Sequence, residues 1–447
     1  MEEPYLLKSN EKNKMNSLKI TYILPVYWPA IGGCELHTHE VVKRLSEKHE
    51  IKIITQITRQ EDKPNNLWFG TLVDPIPKRE RYFDNKATVI PIHMNPLERR
   101  FLYPFVRYRH RMERPSMKVI RYIFQRKIFE LVKDSDLIHC IHNGASFYAY
   151  TAWKCAKKLK VPFVFTPLLQ PYQAWKDGTM SEVNHRDEWQ NFSDIDTASF
   201  ARCLTPRGYH DRFWLGVIRA SDALITMTEF EKDFFIKKGI ADKKVHEVGV
   251  GPVISSVYSG EEFRSKYKIN NNKMVLFLGR KHECKGFEEV LRATSHVWER
   301  HPRTYFFFIG PKEGNAVAIF KKYKDKRIIE VDSVDLYEKT SAIEACNILC
   351  MPSFYEALGG VFLEAWMFGK PVIAGNIPPL RELTGDGQGG FLVNLNPLEI
   401  AEKIIKLIED ENLCKKMGAW GKNKVMSKYS WDIIVGKLEK IYKELVK

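Results

Sequence analysis

Residues 350–393, CMPSFYEALGGVFLEAWMFGKPVIAGNIPPLRELTGDGQGGFLV, set the reading of the whole chain. An apolar run predicts a strand at Ile348 to Met351. A loop follows, then a helix opening near Gly359–Gly360 and a second strand at Pro371–Ala374. Strand, glycine loop and helix in that order make a phosphate site. The first amides of a helix lack internal partners, the dipole adds positive potential, and glycines let the backbone come close to a ligand. Two carboxylates lie eight residues apart, Glu356 in the loop and Glu364 in the first turns of the helix. Beside a phosphate site a carboxylate repels the phosphate, so these two are acceptors for hydroxyls, as on a sugar or ribose. Taken alone, Glu364 equally fits a residue that favours a helix N-terminus.

The same alternation extends to both sides. LKITYIL (18–24) is a buried strand, followed by PVYWPAIGG. A helical segment with Thr38, Val41, Val42 and Leu45 on one face comes next, then the strand EIKIITQI (50–57). Gly32–Gly33 stands at the helix entry. The loop is longer than GxGxxG and carries Pro25 and Pro29, which argues against a dinucleotide fingerprint. A phosphate at that helix start and a simple turn both fit. DLIHCIH (136–142), VPFVFTP (161–167) and DALITMT (222–228) continue a doubly wound parallel sheet. His139 is read as ending its strand. His142 falls at the carboxyl edge, where open α/β sheets bind ligands. Structural and contact roles are equally open to it.

After VHEVGVGPV (245–253) a second series begins: MVLFLGR (274–280), a helix from Gly286, TYFFFIG (304–310), RIIEV (327–331), ILCMPS (348–353) and PVIAG (371–375). The tail has Ile434, Leu438, Ile441, Tyr442 and Leu445 at helical spacing. The expected division is a flexible leader at 1–17, an α/β domain at 18–253, a second at 254–430, and a C-terminal helix at 431–447. A chain of 447 residues is too long for one core, which agrees.

With 44% hydrophobic and 12% aromatic residues the composition is that of a soluble globular protein, and a formal charge of +15 points to an anionic partner. The eight cysteines (34, 140, 155, 203, 284, 346, 350, 414) form no CxxC, and Cys346/Cys350 has helical i, i+4 spacing. They read as reduced, buried thiols of a cytoplasmic protein. MEEPYLLKSNEKNKMNS lacks the apolar core of a signal peptide, and no run approaches the length that spans a bilayer.

Residues 98–127 set Arg99, Arg100, Arg107, Arg109, Arg111, Arg114, Lys118, Arg121, Arg126 and Lys127 against only Glu98 and Glu113. Phe101, Leu102, Tyr103, Phe105 and Tyr108 are interleaved. A solvated helix face with a core-facing stripe is the plain reading. Contact with an anionic membrane surface comes next, and nucleic acid is unlikely for want of a binding motif. The irregular stretch 168–212, with Tyr172, Trp175, His185, Trp189, Tyr209 and His210, reads as an acceptor-binding insert.

Three motifs together, the Gly32–Gly33 loop, GRKHECKG (279–286) and EALGGVFLEA (356–365), resemble the retaining family 4 glycosyltransferases of the GT-B fold. The similarity runs from about residue 18 to the end, and the two glutamates eight residues apart, flanked by PS and GKPVI, are specific to it. The resemblance implies two Rossmann-like domains facing across a cleft. The acceptor lies on the N-terminal side, the donor nucleotide sugar on the C-terminal side, and the last helix crosses back to the N-terminal domain. It implies that Arg280 and Lys285 neutralise the donor diphosphate in place of a metal, that Glu356 accepts sugar hydroxyls, and that Glu364 accepts ribose hydroxyls. Gly32, Gly33, Leu358, Gly359 and Gly360 would line the donor. His142 is the histidine candidate for the donor-sugar site, although the family often places that residue where this chain has Ile141.

The activity so implied is retaining transfer of a sugar from a UDP- or GDP-sugar to an acceptor hydroxyl, metal-independent and without a cofactor, in cell-surface polysaccharide or glycolipid synthesis. The acceptor is a saccharide or a lipid-linked one, and the place of work is the cytoplasm or the cytoplasmic face of the membrane. The acceptor attacks the face the nucleotide leaves, so no side-chain nucleophile is required; orientation and charge stabilisation are the protein's part. Asp134/Asp136 and Asp194/Asp196 imitate a metal-binding DxD and are read as structural. A sugar-nucleotide epimerase on the same scaffold, and a basic membrane- or nucleic-acid-binding protein, are the alternative readings.

Overall fold

The structure, a computed structural model, describes residues 17–30, 32–59, 67–108, 113–142, 147–168 and 212–447. Among these residues the strands form two sheets. The first contains β1 (Lys19–Ile23), β2 (Glu50–Thr55), β3 (Tyr82–Asp84), β4 (Ala87–Pro91), β5 (Leu137–Ile141), β6 (Phe163–Thr166), β7 (Ala223–Thr226) and β8 (Val245–Glu247), in the order β3-β4-β2-β1-β5-β6-β7-β8. The second contains β9 (Met274–Leu278), β10 (Tyr305–Ile309), β11 (Ile328–Val331), β12 (Ile348–Met351), β13 (Val372–Gly375) and β14 (Gly390–Val393), in the order β11-β10-β9-β12-β13-β14.

All pairings are parallel except β3 with β4 at the edge of the first sheet. A parallel sheet carries helices on both faces, so its strands need no polar side. MVLFL, ILCM and LIHCI are buried at every residue accordingly. The chain is thus α/β, with two Rossmann-like sheets. It passes from one to the other between Glu247 and Met274.

The helix Trp431–Leu445 returns to the first sheet. Ile434, Leu438 and Tyr442 join a buried cluster that runs from Ile20, Tyr22 and Ile141 through to Met274 and Phe307. A second cluster, with Ile54, Leu102, Ile120 and Phe124, fills the other face of the first sheet. His139 does not end its strand but is the middle residue of β5; it is buried, bonded at 2.7 Å to both Tyr442 Oη and Thr166 Oγ1. Cys346 and Cys350 share no helix: Cys346 follows the helix Leu336–Ala345 and Cys350 lies in β12. The described cysteines are all free thiols.

Candidate active site

Strand order locates the site. In an open parallel sheet, loops leave in opposite directions where the order reverses, and a crevice opens there at the carboxyl ends. In the second sheet that point lies between β9 and β12. The loop after β9 carries Arg280 and Lys285; the loop after β12 carries Glu356, Leu358 and Gly359 and opens the helix Gly360–Met367. In the first sheet the reversal lies between β1 and β5, and the following segments carry Gly32–Gly33 and His142.

Local bonding holds the C-terminal set in place. The 3-10 turn Glu283–Lys285 is capped by His282, whose Nδ1 accepts from the Cys284 amide at 3.2 Å. Burial, then the Arg280 charge, lowers the His282 pKa, which keeps that nitrogen an acceptor. The Ser353 hydroxyl and the Phe354 amide each donate to the Cys284 carbonyl at 3.1 Å, stitching the two loops together. Gly286 must be glycine here: its φ is 71°, and a Cβ would lie 2.7 Å from Pro352. The Lys285 ammonium, nearly buried, pairs with Glu356 Oε1 and donates to the Tyr355 carbonyl at 3.0 Å. Arg280 is half-exposed and pairs with Glu313 at 2.9 Å.

Gly359 precedes the Gly360 helix with φ of 88° and no side-chain cap, so the first amides there are not taken up by a capping side chain. Beyond Gly360 the nearest heavy atom a Cβ would meet is Val250 Cγ2, at 3.8 Å. One turn on, Glu364 falls on the same helix face. Its Oε1 accepts from Lys339 Nζ at 2.8 Å and from the Val253 amide at 3.3 Å; its Oε2 is buried without a hydrogen-bond partner. A buried carboxylate oxygen left over is an acceptor for an incoming donor. Leu358 is 2% exposed, which leaves only its backbone to a ligand.

The remaining expected residues sit on the other domain. Gly32 and Gly33 begin the helix Gly33–Leu45, with open space at Gly33 and the Glu35 carboxylate lying over Gly32. His142 is buried, stacked on Tyr148 at 5.2 Å, its amide bonded to the Thr166 carbonyl. Sequence reasoning missed Glu313, Lys339 and the Val253 peptide. Lys339 stands in a helix 25 residues before the glutamate it touches, and no local pattern marks it. Of the two acidic pairs, Asp134 bonds Lys52 at 2.5 Å and Asp136 accepts from the Lys19 amide at 2.7 Å, both structural; Asp194 and Asp196 lie outside the described residues, as does almost all of 168–212. Among the described residues no group of three or more His, Cys, Asp or Glu could hold a metal ion, and no helix is long and apolar enough to cross a membrane.

In the basic segment, Arg109 and Arg111 lie outside the described residues. Lys127 pairs with Glu98 at 2.9 Å, and Arg99 donates to the Met94 carbonyl. Arg121 stacks over Tyr150. On the helix Pro96–Arg107, Leu97, Arg100, Phe101, Pro104 and Arg107 recur at 3–4-residue spacing and are exposed, as is Tyr108. On the helix Glu113–Phe129, Lys118, Tyr122 and Arg126 do the same.

The family model for "Glycosyl transferases group 1" matches residues 259–424. The chain is 25% identical over 441 residues to the uncharacterized glycosyltransferase MJ1069 of Methanocaldococcus jannaschii, covering 97% of this chain and 100% of that one. It is 26% identical over 239 residues to the capsular polysaccharide biosynthesis glycosyltransferase CapM of Staphylococcus aureus, covering 50% and 62%. In fold it is similar to the crystal structure of Anabaena Alr3699/HepE in complex with UDP and glucose, with a TM-score of 0.65 at 16% identity over 96% and 100% of the two chains.

Proposed function

We propose that this chain, a glycosyltransferase of the GT-B fold with a group 1 domain at residues 259–424, moves a sugar from a nucleoside diphosphate to an acceptor hydroxyl with retention of configuration. The observation that carries this reading is what the loops after β9 and β12 bring together. The Lys285 ammonium and the Glu356 carboxylate are joined beside the uncapped start of the Gly360 helix, and Glu364 keeps an unpartnered oxygen one turn further on. A diphosphate needs fixed positive charge; a sugar and a ribose need acceptors for their hydroxyls.

Arg280, Lys285 and the amides at Gly359–Gly360 hold the diphosphate and stabilise the charge that grows on it as the glycosidic bond breaks. Glu356, already fixed by Lys285, takes sugar hydroxyls; Glu364 takes those of the ribose. The acceptor hydroxyl attacks from the side the diphosphate leaves, and a diphosphate oxygen takes its proton. No metal is needed where two fixed cations do that work. Gly33 and His142 complete the site from the other domain. Support for UDP as donor nucleotide comes from the UDP held by the Anabaena protein, and support for a polysaccharide acceptor from CapM. The outward arginines and aromatics of the helices Pro96–Arg107 and Glu113–Phe129 suit an enzyme working against an anionic membrane surface.

Release of nucleotide from a panel of UDP- and GDP-sugars, in excess EDTA, tests this. The wild type is expected to release one donor's nucleotide. Glu356→Gln and Lys285→Ala are expected to lose roughly 100-fold or more in rate, with the unfolding temperature showing both still folded. Full activity in either variant overturns the site assignment. A changed sugar on an unreleased nucleotide would favour the epimerase.

A further inference from the structure

We propose that Lys339 is a positioning residue for nucleotide recognition: it holds the Glu364 carboxylate by one oxygen, so that the other is kept for a ribose hydroxyl. The inference rests on the donor-site reading above.

The geometry is a closed ring of three groups. Lys339 Nζ lies 2.8 Å from Glu364 Oε1 and 2.7 Å from the carbonyl of Val253, and the Val253 amide donates to the same Oε1 at 3.3 Å. Both side chains are nearly withdrawn from water, at 15% and 7% exposure. With Oε1 taken by two donors, the carboxylate cannot turn without breaking both bonds. The direction of the unpartnered Oε2 is therefore set by Lys339 and by one peptide of the segment joining the two sheets. That segment is laced to the same helix further along. The Ser255 amide donates to Thr340 Oγ1 at 2.9 Å, the Ser259 amide to Ser341 Oγ at 3.0 Å, and the Gly260 amide to Glu344. Lys339, Thr340, Ser341 and Glu344 of the helix Leu336–Ala345 thus grip the connection between the domains, and of these four Lys339 also grips Glu364. A lysine serving only to neutralise a buried glutamate would govern stability without governing which hydroxyls are recognised.

The test is calorimetric titration of the full chain with UDP, GDP and their 2′,3′-dideoxy analogues, in wild type, K339M, K339R, E364Q and K339M/E364Q. The wild type is expected to bind its natural diphosphate about tenfold or more tighter than the dideoxy analogue. K339M is expected to lose that margin and to bind the analogue as the wild type does, while K339R recovers most of it. In the E364Q background K339M is expected to change nothing further, since it acts through a carboxylate no longer there. Should K339M alone fail to fold with an unpaired buried glutamate, the E364Q and K339M/E364Q pair decides. Weakening of natural and dideoxy ligands alike by K339M, or a further loss in the E364Q background, would make Lys339 structural and overturn the proposal. A wild type that binds the diphosphate but ignores the missing hydroxyls instead overturns the ribose role of Glu364, and the Lys339 inference with it. Binding of neither nucleotide overturns the donor reading itself.

Discussion

Two adjacent glycines separate folding from binding within one turn of helix. Gly359 has φ of 88°, and a Cβ there would lie 2.7 Å from the Phe362 ring; Gly360 is the first helical residue, with only Val250 Cγ2 near at 3.8 Å. Gly359→Ala is expected to cost about 1–2 kcal/mol of stability, the strain of a left-handed L-residue, and more if the ring cannot move. Gly360→Ala should leave unfolding unchanged, because a helix accepts alanine. On the donor-site proposal it should weaken nucleotide binding, because the methyl would stand where the diphosphate is placed. Thermal unfolding with and without UDP separates the two, and full UDP affinity in Gly360→Ala would remove the close-approach role. Both glycines and Glu356 were legible beforehand because strand end, turn and helix start are consecutive in the chain, and a local order of residues implies a local geometry. What holds Glu364 was not legible. Val253 and Lys339 reach it from 111 and 25 residues away, and a contact of that kind is settled by the fold alone.

At the scale of elements, legibility follows how strongly burial constrains each one. β9, β10 and β12 could be read as strands because a sheet covered on both faces makes them continuous apolar runs. β3 is three residues at an edge, held by pairing with β4 rather than by its own pattern, and the π-helical turn Val425–Tyr429 leaves no periodic trace. The cysteine pair at 346 and 350 misled for a related reason: one four-residue interval cannot tell the end of a helix and the strand after it from one helix. For the helix Pro96–Arg107 the spacing is more informative, since Leu102 and Val106 enter the core while Leu97, Arg100, Phe101 and Arg107 stay outside. A face that mixes exposed aromatics with arginine should adsorb to anionic vesicles and release as salt screens the charge. Arg100→Glu with Arg107→Glu, neither touching the donor site, is expected to reduce co-sedimentation with phosphatidylserine vesicles several-fold while donor hydrolysis in solution is kept. Unchanged sedimentation would refute a membrane role for this face.

Across the whole molecule the last helix decides how the two domains stand to each other. It leaves the second domain at Trp431, whose indole donates to the Pro252 carbonyl, and ends with Tyr442 bonded to Tyr22 and His139 in the first. Gly249 and Gly251 are small where Tyr429 and Trp431 press on them. Charge closes the arrangement at its far end: Glu439 pairs with Lys48 at 3.0 Å and with Lys443 at 2.6 Å. Burial alone would raise the pKa of Glu439, but bonds to Lys443 and Lys48 outweigh it and bring the value from 4.5 to about 2. A carboxylate depressed in the folded state is stabilising above its unfolded value, and the contribution is lost as pH falls through the folded one. The stability Glu439 contributes to the folded chain should therefore be complete at neutral pH and fall away between roughly pH 4.5 and 2. Asp325, lowered to about 2 by Arg327, titrates in the same window, so the diagnostic is a difference rather than a curve. Glu439→Gln should unfold at a lower temperature than wild type at pH 7, and the gap should narrow as the pH falls below about 4.5 and close near pH 2, where the folded wild type loses the charge that the variant never had. A gap independent of pH would mean that the charge of Glu439 gives no help and that Tyr442 and the apolar face hold the helix there. The far end of the helix would then be held by packing and by the Tyr442 hydrogen bonds, with Lys437 still paired to Glu247 further along.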